Sequence, residues 1–277
     1  MINLTFRCLM FTALVLIIVM NSFAQITIAP TLVMMSDKNP YGIFFVANET
    51  TTAQEVTVTF RFGYPTSDTL GNGYMQYVDS LAERQYSINT WIRAFPQRFV
   101  VQPNQRQMIR IVARPPRQIQ PGLYWTRIIV GSQPASTRID TLTAGISTQI
   151  TFRLEQITTA AYKRGTVQTE LSLGDFQVLQ DTGAVHILVP IKRLQNSPFY
   201  GTISLRVLDS TGKVVAEDFE VSSVYFNYTK RFSIPRGKFV GKEFEAELKI
   251  ISERSDIPKQ DVPQIAPLTK KIKFTLQ

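Results

Sequence analysis

The chain has few side chains of the types that catalysis usually employs. Its only histidine, His186, lies in the strand-like segment 184–189, and its only cysteine is Cys8. A Ser–His–Asp arrangement could use the imidazole, but no nucleophile-elbow serine motif occurs in the sequence. A zinc site needs several Cys, His or carboxylate ligands. We therefore expect a structural role for His186 and predict neither catalysis nor a metal cofactor.

Two further motifs could carry chemistry and are better explained structurally. Glu243, Glu245 and Glu247 alternate with apolar residues, so a strand places them on one solvated face rather than in an acid–base pair. The segment 71–73 (Gly-Asn-Gly) lacks the lysine and the strand–loop–helix context of a phosphate-binding loop, and it predicts a turn. The sequence gives no support for an enzyme.

A regular alternation in the middle of the chain points to binding instead. Leu142, Ala144 and Ile146 are spaced two apart in the segment 139–153, and the residues between them are small or polar. A β-strand turns such residues to one face. The segment can be an ordinary interior or edge strand, or an edge strand that pairs with another chain.

The N-terminal residues predict export. A lone Arg7 precedes the apolar run 8–20, and small residues lie three before and one before a cleavage point at Gln25. We predict a signal peptide over residues 1–24 rather than a retained anchor, because the apolar run is short. No cysteine follows the leader, so the exported protein must be stabilised by hydrophobic cores instead of disulfides.

The formal net charge of +9 describes a moderately basic chain. In an exported protein this charge favours acidic polymers, anionic lipid or a carboxylate-bearing protein over nucleic acid, or it serves solubility alone. The roughly 250 residues after the leader are enough for two domains with cores of their own.

Short alternating segments separated by turns predict an all-β fold of sandwich type. We predict a first domain over 25–154, a polar linker over 155–165 and a second domain over 166–277. A long loop with a short helical turn at 77–84 is expected over 63–90. Strands are expected at 41–47, 55–62, 91–95, 107–113 and 123–130, and then at 167–173, 185–191, 201–208, 214–221, 231–234, 244–251 and 270–276.

Several motifs of the first domain occur in a recognisable order. They are Ile28-Ala-Pro-Thr31, Val46-Ala-Asn48, Trp91-Ile92, Gln107-Met-Ile-Arg-Ile111, Leu123-Tyr-Trp125 and the alternating segment from Leu142 to Ile150. In this order and spacing they resemble the N-terminal domain of the periplasmic pilus-assembly chaperones, the PapD-like family. The resemblance covers about residues 26–154.

The resemblance implies two immunoglobulin-like β-sandwich domains arranged at an angle, a periplasmic location and no cofactor. It implies that Leu142, Ala144 and Ile146 form a donor strand that completes a subunit lacking its own last strand. Partners would be incompletely folded pilin-like or surface-appendage subunits, and an outer-membrane usher is a further partner of such chaperones. Neither nucleic acid nor a small-molecule substrate is implied.

The chain departs from the family where the client's terminal carboxylate is bound. The family has an arginine shortly after the Pro-Thr segment and a lysine after the donor strand, and here these positions are Leu32 and Thr151. Arg153 is the alternative cation, one pleat further along the strand. The departures leave open a second interpretation, a structural immunoglobulin-like component of an envelope secretion, motility or adhesion apparatus.

Overall fold

The computed structural model describes residues 26–135 and 152–276, which form nineteen strands and one short α-helix. The first domain contains β1 (Ile26–Ala29), β2 (Leu32–Ser36), β3 (Tyr41–Asn48), β4 (Gln54–Arg61), β5 (Tyr64–Ser67), β6 (Gly73–Gln76), α1 (Ser80–Tyr86), β7 (Ile92–Phe95), β8 (Arg98–Val101), β9 (Arg106–Ala113), β10 (Gly122–Pro134) and β11 (Leu154–Arg164). The second contains β12 (Leu171–Leu173), β13 (Gln177–Gln180), β14 (Ala184–Arg193), β15 (Phe199–Asp209), β16 (Val214–Val224), β17 (Asn227–Pro235), β18 (Glu243–Ile251) and β19 (Leu268–Thr275).

Two sheets face each other in the first domain. One has the strand order β1-β3-β9-β7, and the other has the order β2-β11-β10-β4-β8. Alternation turns Phe44 and Val46 of β3 toward Val58 of β4 and Ile128 of β10, and all four side chains are buried in one core. The first domain is therefore a β-sandwich.

The second domain repeats this architecture with different strands. One sheet has the order β16-β15-β18-β19, and in the other β14 pairs with β12, β13 and β17. Its core is separate from the first and is built on buried residues such as Ile187, Phe199, Leu205, Phe232 and Leu248. The predicted all-β fold of two immunoglobulin-like sandwiches is confirmed.

Three details of the predicted organisation were wrong. The segment 155–165 is not a linker, because β11 runs through it and pairs with β10 and β2. The predicted loop 63–90 also contains the β5–β6 hairpin, whereas the short helical turn expected at 77–84 is present as α1 at Ser80–Tyr86. Strand β13 was missed, because its four residues carry only two apolar side chains.

A third apolar cluster joins the two domains. The buried indole of Trp125 donates its Nε1–H to the carbonyl of Gly63 at 3.2 Å. The ring of Tyr86 stacks on Trp125 at 4.9 Å between centroids, and Tyr225 of the second domain packs at 4.8 Å. Aromatic packing of this extent holds the domains against each other.

The β5–β6 hairpin reaches from the first domain to β17 of the second. The backbone N–H of Thr229 donates to Ser67 Oγ at 2.6 Å, and Thr66 Oγ1 donates to the carbonyl of Asn227 at 3.1 Å. At the hairpin tip Gly71 has a φ of +75°, and a Cβ there would lie 2.5 Å from Cβ of Arg231. Glycine is required for this close approach.

We expect Trp125→Ala to lower the free energy of unfolding by about 3–5 kcal/mol, because it empties the centre of the cluster between the domains. Urea unfolding followed by fluorescence and circular dichroism measures this change. Val240, which is 84% exposed, provides a control, and Val240→Ala should change the stability by less than about 0.5 kcal/mol. Equal effects of the two substitutions would contradict the central role of Trp125.

Candidate binding site

The first half of β11 is an open strand edge. β11 pairs with β10 along its whole length, from Leu154 to Arg164, but pairs with β2 only from Thr159 to Lys163. The N–H of Thr159 bonds to the carbonyl of Thr31 on the β2 side, and alternate residues direct their backbone groups to the same edge. Glu155 and Ile157 therefore present their N–H and C=O groups toward an edge with no strand partner among the described residues.

The row of side chains that enters the core from β11 extends beyond it along this strand. Ala160 and Tyr162 are buried in the core of the first sandwich. Two residues at a time, the row passes the polar Thr158 and Gln156. It then reaches Leu154, which is 43% exposed, and Phe152 just before the strand, which is 81% exposed. The row that fills the core thus continues onto uncovered apolar side chains beside the open edge.

A cleft lies between the open edge and β1. It has a volume of about 420 Å³ and is lined by Thr27, Ile28, Thr31, Gln156, Ile157 and Thr158. Gln156 donates its side-chain amide to the carbonyl of Ile26, while its enclosed Oε1 has no hydrogen-bond partner in the described chain. The side chain of Gln156 therefore closes the floor between β1 and β11, and the cleft beside it is lined by both apolar and polar residues.

Several of the residues predicted for the site lie outside the described parts of the chain. Leu142, Ala144, Ile146 and Thr151 lie outside the described residues. The described site begins at Phe152 and was not singled out from the sequence. The sequence does contain a pattern that indicates this site, since Phe152 and Leu154 continue the two-residue spacing of the alternating segment.

Neither described candidate for the carboxylate anchor is a free cation in the cleft. Leu32 is buried in the cluster between the domains. Arg153 is half exposed, and its Nε lies 3.5 Å from a carboxylate oxygen of Glu155.

A buried cation does lie close to Leu32, in the same row of the sheet. Leu32 pairs with Thr159 of β11, and Thr159 pairs with Arg127 of β10. Arg127 is 8% exposed and donates to Thr159 Oγ1 and, at 3.1 Å, to the carbonyl of Gly63. Its guanidinium lies 5.0 Å from the ring centre of Tyr225.

The charge of Arg127 is not neutralised by a side chain in the described part of the protein. It makes no ion pair there, and its Nη2 is enclosed without an acceptor. A buried guanidinium without an anion is unfavourable. Arg127 is thus a buried cation in the row of the sheet that contains Leu32, and sequence analysis did not single it out because it lies on a neighbouring strand.

A charged contact crosses between the domains beside Leu32. Asp256 accepts hydrogen bonds from Arg254 Nε at 2.8 Å and from the hydroxyl of Thr31 at 2.5 Å. The bonds from Arg254 lower the pKa of Asp256 from 3.8 to about 2; partial burial opposes this, and the bond from Thr31 adds to it. Asp256 thus ties the start of β2 to the second domain in its ionised form.

His186 lies away from the open edge, in the second domain. Its ring nitrogens lie 3.0 Å from Ser233 Oγ and 3.0 Å from a carboxylate oxygen of Asp181. The guanidinium of Arg231 lies 3.1 Å from both ring nitrogens. Asp181 lies in the turn before β14 and Ser233 lies on β17, so these contacts tie the turn and the two strands together, and we interpret the group as structural.

The described residues contain neither a candidate metal centre nor a candidate membrane-spanning helix. Among them no group of three or more His, Cys, Asp or Glu side chains could hold a metal ion. In the same ranges, none of the helical segments has the length and hydropathy needed to span a bilayer.

Comparison with known proteins gives matches in fold alone. No family model and no curated protein matches the chain. Similar solved structures include the YadV chaperone, at 10% identity and TM-score 0.46, covering 90% of this chain and 100% of that one. The Salmonella enterica SafB chaperone in complex with the SafA pilin matches at 10% identity and TM-score 0.45. The match covers 91% of this chain and 98% of that chain.

The CsuC–CsuE complex of a chaperone and a tip adhesion subunit, from Acinetobacter baumannii, matches at 13% identity and TM-score 0.42. The match covers 76% of this chain and 91% of that chain. All three structures contain a chaperone, and two of them also contain a pilin or a tip adhesion subunit. At these identities and TM-scores the comparison concerns the fold and not the function. The function is argued below from the geometry of the described residues.

Stability should depend on pH through Asp256. Because folding lowers its pKa below 3.8, the ionised form stabilises the fold above about pH 4, and this contribution is lost as the pH falls toward 2. We expect Asp256→Asn to flatten the fall of the unfolding free energy between pH 4 and pH 2. Urea unfolding at several pH values measures the slope, with Asp175→Asn at an exposed carboxylate as the control. An unchanged slope in Asp256→Asn would refute the assignment.

Proposed function

We propose that this protein is an exported, periplasmic chaperone that binds incompletely folded, pilin-like or surface-appendage subunits by strand addition. The observation that carries the proposal is the open edge of β11 over residues 154–158, which lies beside the exposed apolar row of Phe152 and Leu154. An edge strand with unpaired backbone groups and alternate apolar side chains fits strand addition.

The physical basis of such binding is the client's missing strand. A subunit that lacks its last strand exposes one row of backbone groups and an open hydrophobic core. Glu155 and Ile157 would supply backbone hydrogen bonds to that edge, while Phe152 and Leu154 would fill the core. Burying Phe152 and Leu154 would contribute about 1.5–3 kcal/mol each.

We propose that the donor row continues upstream through Leu142, Ala144 and Ile146. These residues share the even spacing of Phe152 and Leu154, so one continuous strand would turn all five side chains to one face. Leu142 and Ile146 would then occupy two deep client sites, with the small Ala144 between them.

The client's terminal carboxylate is assigned to Arg127 rather than to Arg153. Arg127 has an unused Nη2 and no ion pair in the described chain, whereas Arg153 lies beside Glu155. A carboxylate that reaches this row would supply the missing anion and the missing acceptor together.

We expect Phe152→Asp and Leu154→Asp to weaken client capture by about a hundredfold, because each removes a buried apolar contact and adds a charge. Leu142→Asp and Ile146→Asp should act similarly. The measurement is the affinity for the subunit that co-purifies one to one from the periplasm. Phe219→Asp is the matched control, since Phe219 is 71% exposed on the second domain.

Retention of full affinity by the variants of the donor row would refute strand addition at this edge. Circular dichroism of each variant separates lost binding from lost folding. A partner that remains one to one in the finished appendage would instead favour the structural component. That alternative is favoured by the cluster between the domains and the docked hairpin, which suit a rigid building block.

The anchor is tested with synthetic peptides of the client's last strand that end in a carboxylate or in an amide. We expect Arg127→Met to weaken the carboxylate form by about tenfold and to leave the amide form unchanged. Arg153→Ala serves as the control and should affect neither form. Equal binding of both peptides to the unmodified protein would show that no carboxylate anchor operates.

A further inference from the structure

The outward face of the sheet β1-β3-β9-β7 carries apolar side chains and arginines without a covering layer. We call it the arginine face. Its members are Tyr41, Ile43 and Phe45 of β3, Arg93 and Phe95 of β7, and Arg106, Met108, Arg110 and Val112 of β9.

The strand register brings these side chains together. Ile43 pairs with Arg110, which in turn pairs with Phe95. Phe45 pairs with Met108 in the next row. Residues paired across a sheet project to the same face, so these five side chains are contiguous.

The apolar members are unusually exposed for a sandwich surface. Tyr41, Ile43, Phe95 and Met108 expose between 43% and 59% of their surface, and they lie within one sheet face. Scattered exposed apolar residues are normal, whereas a contiguous set marks an interaction surface.

The arginines of this face make no ion pair within the described chain. Arg93 donates to the neighbouring carbonyl of Ile92 at 2.8 Å. Arg106 lies over the ring of Phe45 at 5.3 Å. Glu49, at the margin of the sheet, accepts a hydrogen bond from Thr27 instead. Three cations therefore face outward beside apolar side chains without an anion.

This composition favours a protein partner. Aromatic residues, methionine and arginine are enriched in protein interfaces and lysine is depleted, and the arginine face contains the first three and no lysine. Guanidinium groups bind carboxylates in pairs of hydrogen bonds, which a protein supplies from Asp and Glu. Two copies meeting through this same face would bring like charges together.

We propose that the arginine face binds a protein partner whose contact surface places carboxylates beside apolar side chains. The members of the face lie on β3, β7 and β9, whereas the cleft beside the open edge is lined by β1 and β11, so the proposal is independent of the proposed chaperone function. A client on β11 and this second partner can be bound at the same time.

The test is a selection of random peptides displayed on phage against the purified protein. We expect enriched peptides with Asp or Glu beside aromatic or aliphatic residues. Arg110→Glu should weaken them by about tenfold or more, and Met108→Ser should weaken them as well. Arg98→Glu, at an exposed arginine of the other sheet, is the matched control and should bind as before.

Three results would overturn the proposal. The first is that no selected peptide binds the unmodified protein more tightly than it binds Arg110→Glu. Another is binding to vesicles of phosphatidylglycerol and phosphatidylcholine that is lost in Arg110→Glu, which would assign the face to a membrane. The third is self-association in analytical ultracentrifugation that is lost in the same variant. Phe152→Asp should leave peptide binding unchanged, which separates this test from that of the chaperone function.

Discussion

The pairing of β11 is the constraint on which the rest of the molecule depends. One edge of this strand is satisfied by β10 along its full length, and the other is satisfied by β2 only in its second half. Ala160 and Tyr162 fill the core of the first sandwich, while Ala161 belongs to the cluster between the domains. A single strand thus sets the core, the domain contact and the open edge.

The switch of the first strands between sheets explains why the open edge exists. β1 pairs with β3 in one sheet, and after Pro30 the chain continues as β2 in the other sheet beside β11. Only the second half of β11 can then be covered, and the cleft at Gln156 is the space left by the departing strand. Backbone groups left at such an edge favour pairing with a further chain.

Much of the fold follows from alternation in the sequence. Strands such as β4, β9 and β14 have apolar residues two apart, and their predicted positions agree with the observed ones within a few residues. β11 departs from this pattern, because its inward row combines Gln156 and Thr158 with Ala160 and Tyr162. Threonine and alanine fill a tight sandwich core without giving an apolar signal, so the strand was predicted as a polar linker.

The candidate site was harder to predict, for a related reason. Sequence spacing indicates which residues share a strand face, but Arg127 becomes relevant only through its neighbours on β11 and β2. Likewise, Arg110 and Phe95 are fifteen residues apart and meet only through the pairing of β7 with β9. Contacts across strands are set by register, which local patterns do not fix when the turns between the strands are long.

The two surfaces differ in the physical term that would dominate binding. At the open edge of β11, backbone hydrogen bonds and buried apolar side chains would supply most of the binding free energy. Binding there should therefore depend weakly on salt. On the arginine face, exposed guanidinium groups would meet carboxylates, and ionic strength screens such contacts over about 10 Å. Salt therefore offers a way to weaken one contact while the other persists. A protein that must hold one partner while exchanging another gains from surfaces governed by different forces.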